Sequence, residues 1–206
     1  MARPLRISYA GALYHIISRG NETREIFIDK RDRGKFLQCL KEIILRYNVK
    51  IHTYCLMDNH YHLIMETPHG NIVDAMHYLN SSYTVYFNSL HKRIGHLFQG
   101  RYKSLLVEKD PYLPALSRYI HLNPVRKNLV KNPQDYPWSS YRYFITPINT
   151  PDFLCTDFIL SVFSEDLEKA RHLYREFVED HIGEEVEVIR DNLHAGLIVG
   201  SRKFVE

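Results

Sequence analysis

The chain has 206 residues, 45% of them hydrophobic and 25% charged, which suits one well-buried domain with an appendage and is short for two full domains. No apolar run approaches the ~18 residues of a membrane span. The opening "MARPLRISYAGALYHIIS" has arginines but no apolar core leading to a small-residue cleavage site, so neither a membrane protein nor a secreted precursor is expected. Cys39, Cys55 and Cys155 are odd in number and widely spaced, which fits reduced thiols in the cytoplasm better than a disulfide framework or a zinc site.

The net charge of +3 conceals an asymmetry. Residues 1–50 carry a net +6, residues 51–91 a net −3, residues 92–131 a net +7 and residues 132–206 a net −7. Two basic segments therefore fall in the first two-thirds of the chain, where a polyanion is a plausible partner. The acidic tail is a poor phosphate-binding surface.

Residues 12–19, "ALYHIISR", mix β-branched and aromatic side chains and end at the turn signal "RGN", which predicts a strand. In 29–49, Phe36, Leu37, Leu40, Ile43, Ile44 and Tyr47 recur at three- and four-residue intervals, predicting an amphipathic helix capped by Asp29 or Asp32. "KIHTYCLM" (50–57) and "HYHLIMET" (60–67) read as two strands joined by a tight Asp58-Asn59 turn. Residues 71–93 read as a second helix with Asn71 as its cap. Residues 95–108 read as a fourth strand, interrupted near Gly100. Residues 110–122 read as a helix capped by Asp110, with Pro111 in its first turn and an end before Pro124. The order β-α-β-β-α-β followed by a helix predicts an α+β, ferredoxin-like four-stranded antiparallel sheet with two helices on one face. Residues 1–131 would form this unit, 132–150 an irregular connection packing on it, and 151–206 an acidic, mainly helical extension.

Two short segments carry chemistry. In "YCLMDNHYHLIMETP" (54–68), strand alternation puts His60 and His62 on one face and Tyr61 on the other. Two imidazoles so placed can share one metal ion, although so short a pattern is more often a structural pair. In "SRYIHLNPVR" (117–126), Tyr119 and Asn123 are four apart and share a helix face, with Arg118, Arg126 and Lys127 close by. A tyrosine can be a covalent nucleophile toward phosphorus, and a nearby cation or metal favours its phenolate over a phenol with a pKa of about 10. An asparagine carbonyl oxygen can join a metal's ligands. Arg101 and Lys103, two apart on the predicted strand, join Arg118, Arg126 and Lys127 as candidates for a phosphate track, with Arg3, Arg6 and Arg19 as a basic arm. Tyr102 and Trp138 are candidates to stack on unpaired bases, Trp138 being read first as core.

Taken together, "ARPLRI...GALYHIISRGN" (2–21), "YCLMDNHYHLIMETP" (54–68), "LFQGRYKSLLVE" (97–108), "YIHLNPVRKNLV" (119–130) and "YPWSSY" (136–141) resemble the single-tyrosine HUH transposases. The resemblance is closer to the REP-associated tyrosine transposases of bacteria, an IS200-like group. It implies that His60 and His62 are metal ligands, Tyr119 the nucleophile, and Asn123 the third ligand where related insertion-sequence transposases carry glutamine. It implies a ferredoxin-like sheet with a nucleophile-bearing helix. It also implies a DNA transposition and recombination activity that cleaves and rejoins single-stranded DNA beside hairpins such as REP palindromes. The implied cofactor is Mg2+ or Mn2+, the implied state a monomer or homodimer, and the implied location the bacterial cytoplasm at the nucleoid. Some longer family members carry a further C-terminal domain, and "AGLIVGSRKFVE" resembles the lead into it. Two other classes compete: a domesticated hairpin-binding protein that does not cut, and a metal-dependent phosphohydrolase that uses water as nucleophile.

Overall fold

The computed structural model describes residues 7–183, together with 193–194, 198–199 and 204. Strand β1 (Ala12–Arg19) is followed by helix α1 (Lys30–Tyr47), the hairpin β2 (Lys50–Met57) and β3 (His60–Thr67), helix α2 (Ile72–Leu90), strand β4 (Lys103–Val107) and helix α3 (Lys109–Arg126). Beyond these come short helices α4 (Tyr141–Ile145) and α5 (Asp157–Leu160), helix α6 (Leu167–Glu179) and two short strands, β5 (Leu193–His194) and β6 (Ile198–Val199).

The molecule is a mixed α+β fold built on a single sheet ordered β2-β3-β1-β4-β6-β5. β1 pairs antiparallel with both β3 and β4, and β2 with β3. The sequence led us to expect four strands, but β6 adds to β4 in parallel and β5 pairs with β6. Two-residue strands leave no periodic signal, and only the free edge of β4 gives them a place. The opposite edge is covered as well. Leu56 N–H donates to Trp138 O, Ser140 N–H to Tyr54 O and Cys155 N–H to Ile51 O, so the connection after α3 satisfies the outer backbone of β2. That connection is less irregular than its Pro-rich sequence suggests, since it holds a 3-10 turn (Pro133–Asp135) and α4.

Alternation along the strands builds two cores. Tyr14, Ile16, Tyr54, Leu56, Tyr61, Leu63 and Met65 pack with the inner faces of α1 and α2. Leu13, Cys55, Met57 and Ile64 turn to the other face and pack with Leu113, Leu116 and Ile120 of α3 and Tyr174 and Val178 of α6. The sheet is thus covered on both faces, and His60 and His62 point toward α3 while Tyr61 points toward α1 and α2, donating from Oη to Asn80 Oδ1 at 2.6 Å.

The caps differ in part from expectation. Asp29 is the N-cap of α1 and forms a capping box with Asp32 at the third position. Asn71 makes no side-chain cap; its Nδ2 donates instead to Tyr47 O, tying α2 to the end of α1. α3 starts at Lys109 with Glu108 in the cap position, so Asp110 lies inside the helix. The fourth strand begins only at Lys103; ahead of it Phe98 makes an isolated bridge to Gly20, just past the end of β1. Gly20 itself sits where no side chain fits, because a Cβ there would lie 2.0 Å from Arg24 O. Among the described residues no helix is long and apolar enough to cross a membrane.

The largest departure is at α3. Proline lacks the N–H that would close an i→i−4 bond, so an end before Pro124 was expected. The helix instead runs through Pro114 and Pro124 to Arg126. Burial of Ile120, His121, Leu122 and Asn123 outweighs the local preference. The helix then closes with Lys127 N–H on Asn123 O and Leu129 N–H on Pro124 O.

Candidate active site

A cavity of about 360 Å3 opens between the sheet and α3, lined by Ile17, Arg19, His60, His62, Gln99, Arg101, Lys103, Tyr119, Asn123 and Lys127. Three elements supply its chemistry. β3 brings His60 and His62 two residues apart on one face, with ring centroids 5.0 Å apart and planes near perpendicular. α3 brings Tyr119 and Asn123 one turn apart, and because the helix continues through Pro124 both face the sheet. β1 brings Arg19 at its end and, one strand from His62, a residue that spacing did not single out: His15.

The imidazoles are specifically partnered. His60 Nδ1 lies 2.7 Å from Asn59 Oδ1, an acceptor, so His60 carries its proton there and leaves Nε2 as its lone-pair nitrogen. His62 Nδ1 lies 2.9 Å from His15 Nε2. The His62 ring also meets the Tyr119 ring edge to face at 5.8 Å. Burial pushes the His60 pKa down to about 4, with the charges of Arg19 and Lys127 adding to the effect and Asp58 opposing it. Burial drives His62 well below its ordinary value, aided by His15, His60 and Arg126. Both rings are therefore neutral at physiological pH, the form in which imidazole donates a lone pair to a metal.

Tyr119 is half-buried at the cavity wall. Its backbone oxygen accepts from Asn123 Nδ2 at 3.0 Å and from Arg126 Nη1 at 3.0 Å, and the Arg126 guanidinium lies 4.7 Å from its ring centroid. Asn123 thus uses its amide nitrogen on its own helix and has its carbonyl oxygen left over. Among the described residues no group of three or more His, Cys, Asp or Glu could hold a metal ion. The donors this cavity could offer a cation are two imidazole nitrogens and an amide oxygen.

A family model described as "Transposase IS200 like" matches residues 8–123, more than half the chain, and its match takes in His60, His62, Tyr119 and Asn123. The chain belongs to the IS200-like transposase family. No curated protein matches it. Among solved structures, a REP-associated tyrosine transposase bound to a REP hairpin is similar in fold, with a TM-score of 0.61 at 14% identity over 75% of this chain and 92% of that one. A candidate transposase of Deinococcus radiodurans R1 overlaps with a TM-score of 0.41 at 20% identity, covering 58% of this chain and 95% of that one. The tRNA(His) guanylyltransferase of Saccharomyces cerevisiae overlaps with a TM-score of 0.44 at 11% identity, covering 87% and 83%. The last two likenesses are too loose to bear on the reading.

The transposase brings some of the expected cationic residues to the cavity and sends others elsewhere. Arg19, Arg101, Lys103 and Lys127 line it. Arg101 and Lys103 do so although Arg101 precedes β4, and Tyr102 between them turns into the opposite core. Arg126 packs over Tyr119, and burial lowers its pKa. Arg118 does not line the cavity: its guanidinium lies 4.3 Å from the Phe177 ring centroid, with Nη1 on Phe177 O. Tyr102 is buried with its hydroxyl toward Ile72 O, so it has no face for a base. Trp138 packs between both cores beneath Arg33. Arg3 and Arg6 lie outside the described residues. Gln99, a second amide in the cavity wall, gave no signal in the sequence, because the chain around it has no regular period.

Proposed function

We propose that this IS200-like transposase is a metal-dependent single-stranded DNA transesterase that cleaves and rejoins DNA beside hairpins through a 5′-phosphotyrosine. One observation carries the reading: His60, His62, Tyr119 and Asn123 converge on one cavity rimmed by Arg19, Arg101, Lys103 and Lys127. On this reading the catalytic unit is residues 1–131, a ferredoxin-like sheet with α3 laid across it, supported by the order β2-β3-β1-β4. Residues 132–150 and 151–206 would be the parts that brace it.

His60, His62 and the carbonyl oxygen of Asn123 would hold Mn2+ or Mg2+, which when bound offsets charge on the scissile phosphate. Imidazole nitrogens suit manganese better than magnesium, a hard oxygen-seeking ion, so manganese should work at least as well. The neutral imidazoles are ready for a cation without first losing protons. Arg19, Arg101, Lys103 and Lys127 would fix the strand's phosphates and bring the scissile one beside α3. Tyr119 Oη would then attack phosphorus in line. The P–O3′ bond breaks, the phenol proton is lost, the departing 3′ oxygen gains a proton, and a 5′-phosphotyrosine remains. That ester keeps the free energy of the phosphodiester, so a 3′-hydroxyl can attack it and rejoin strands with Tyr119 as leaving group. Arg126, stacked on the ring and donating to the Tyr119 backbone oxygen, would hold the nucleophile's ring in place. Hairpin DNA as substrate is supported by the similar fold of the REP-associated transposase solved on a REP hairpin.

The test incubates the full chain with Mn2+ and a labelled single-stranded hairpin oligonucleotide and looks for a covalent protein–DNA adduct. The wild type should form it and Tyr119→Phe should not. Binding without an adduct would point to a non-cutting hairpin binder. Cleavage without an adduct, unchanged in Tyr119→Phe, would point to a water-using phosphohydrolase.

A further inference from the structure

We propose that His15 is a positioning residue that holds His62 in the tautomer a metal needs, by accepting the proton of His62 Nδ1 at its own Nε2. The inference rests on the metal site proposed above and adds a residue to it. It starts from register: Ile17 on β1 pairs with His62 on β3, and His15, two residues before Ile17, pairs with Ile64. His15 and His62 are therefore diagonal neighbours on the face that looks at α3. The ring centroids are 5.2 Å apart with planes 21° apart, and His15 Nε2 lies 2.9 Å from His62 Nδ1. His15 is 1% exposed and His62 4%, so water does not compete for the bond.

Two tautomer pairs can make that bond. In one, His15 Nε2–H donates to His62 Nδ1. The proton of His62 then sits on Nε2, the nitrogen not facing His15, and His62 cannot ligate from it. In the other, His62 Nδ1–H donates to His15 Nε2, and His62 Nε2 carries the lone pair toward the cavity that His62 lines. His15 then has its own proton on Nδ1, a buried atom with no hydrogen-bond partner among the described residues. An unpartnered buried polar atom is costly. A packing role for residue 15 would be met by an apolar side chain at less cost, so a histidine here points to a task for Nε2. His60 shows the same logic, since its Nδ1 is held by Asn59 Oδ1. Each of the two ligands thus has its outward nitrogen chosen by a neighbour. The His15 ring also meets Tyr119 edge to face at 6.0 Å, so it touches the nucleophile's wall without lining the cavity.

The tautomer can be read directly by 15N NMR on the metal-free, histidine-labelled full chain. Wild-type His62 should show a protonated Nδ1 and an unprotonated Nε2. The opposite tautomer in the wild type would overturn the proposal without any variant. Mn2+ affinity, measured by titration calorimetry with no DNA present, should fall roughly 10- to 100-fold in His15→Phe. It should recover in large part in His15→Gln, whose amide oxygen can accept the same proton. Mn2+ binding by His15→Phe at wild-type affinity, with the fold checked by circular dichroism, would overturn the positioning role while leaving the metal site standing. No Mn2+ binding by the wild type would overturn the metal site and His15's role with it.

Discussion

Helix α3 has a buried histidine network on each side, and the two are built to different ends. Toward the sheet and cavity lie His15, His60 and His62. On the far side, His121 is fully enclosed, with Nδ1 2.7 Å from Tyr174 Oη and Nε2 2.8 Å from Ser140 Oγ. Tyr174 Oη in turn meets Ser117 Oγ at 2.5 Å, and Ser140 Oγ bonds the backbone of Tyr54. Both ring nitrogens of His121 are spent, the ring sits among Tyr141, Phe144 and Tyr174, and it lines no part of the cavity. His60 and His62 each have one nitrogen engaged and one left over at a cavity. Burial lowers the pKa on both sides, His121 to about 3 and His60 to about 4, so a depressed pKa does not tell a functional histidine from a structural one. On the proposed reading, what sets His60 and His62 apart is a nitrogen left over at the cavity.

The contrast predicts opposite phenotypes. His60→Ala should abolish Mn2+ binding and reduce adduct formation at least about 100-fold, yet change stability by under about 1 kcal/mol, since the ring is less fully enclosed than His121. His121→Ala should leave Mn2+ binding intact and cost about 2–4 kcal/mol through lost hydrogen bonds and a cavity, a drop in melting temperature of roughly 5–15 °C. Calorimetric unfolding beside Mn2+ titration separates the two. If His121→Ala loses metal and keeps its stability, the division between the sides of α3 is wrong.

Acid should expose what the two networks share. His15 and His121 at about 3 and His60 at about 4 lie below the ordinary histidine value near 6.5 in the unfolded chain. Below that value the unfolded chain takes up protons that the folded chain refuses. Stability of the metal-free protein is therefore full above about pH 6.5 and falls with pH toward 3 and 4, with a slope of about 1.4 kcal/mol per pH unit for each such histidine. Urea unfolding at a series of pH values should show this, and His121→Phe should lower the slope by about one histidine's share. A slope unchanged in that variant would mean that His121 is not buried neutral.

The smallest expected effect concerns the rim. Lys127→Ala should weaken single-stranded DNA binding across sequences and lower the slope of log affinity against log salt by about 0.7, as for the loss of one phosphate contact. Arg118→Ala, whose guanidinium packs on Phe177, should leave the salt slope unchanged. Salt titrations of a fluorescent oligonucleotide would show whether Lys127 and Arg118 differ as their packing says.

Much of the site was legible because it rests on short-range periodicity. Alternation put His60 and His62 together, and one helical turn put Tyr119 with Asn123. The strand and helix order of residues 12–126 was readable for the same reason. What could not be read depends on register and burial. His15 meets His62 across 47 residues of sequence, through a strand pairing that no local pattern specifies. The end of α3 was misjudged because the propensity of Pro124 is local, whereas the packing that carries the helix past it is not. Arg118 stands away from the cavity because it packs on Phe177 of α6, a partner that charge in the sequence does not show. β5 and β6 are too short to have a period at all.

The central claim is that Tyr119 is the atom donor to phosphorus. The most direct measurement is mass spectrometry of the tryptic peptide "YIHLNPVR" after the full chain has reacted with Mn2+ and a hairpin oligonucleotide and the DNA has been trimmed by nuclease. The account predicts that this peptide carries a nucleotide phosphate on its tyrosine and that omission of the metal removes it. A nucleotide on any other residue, or DNA cleaved with this peptide unmodified throughout the reaction, would contradict it.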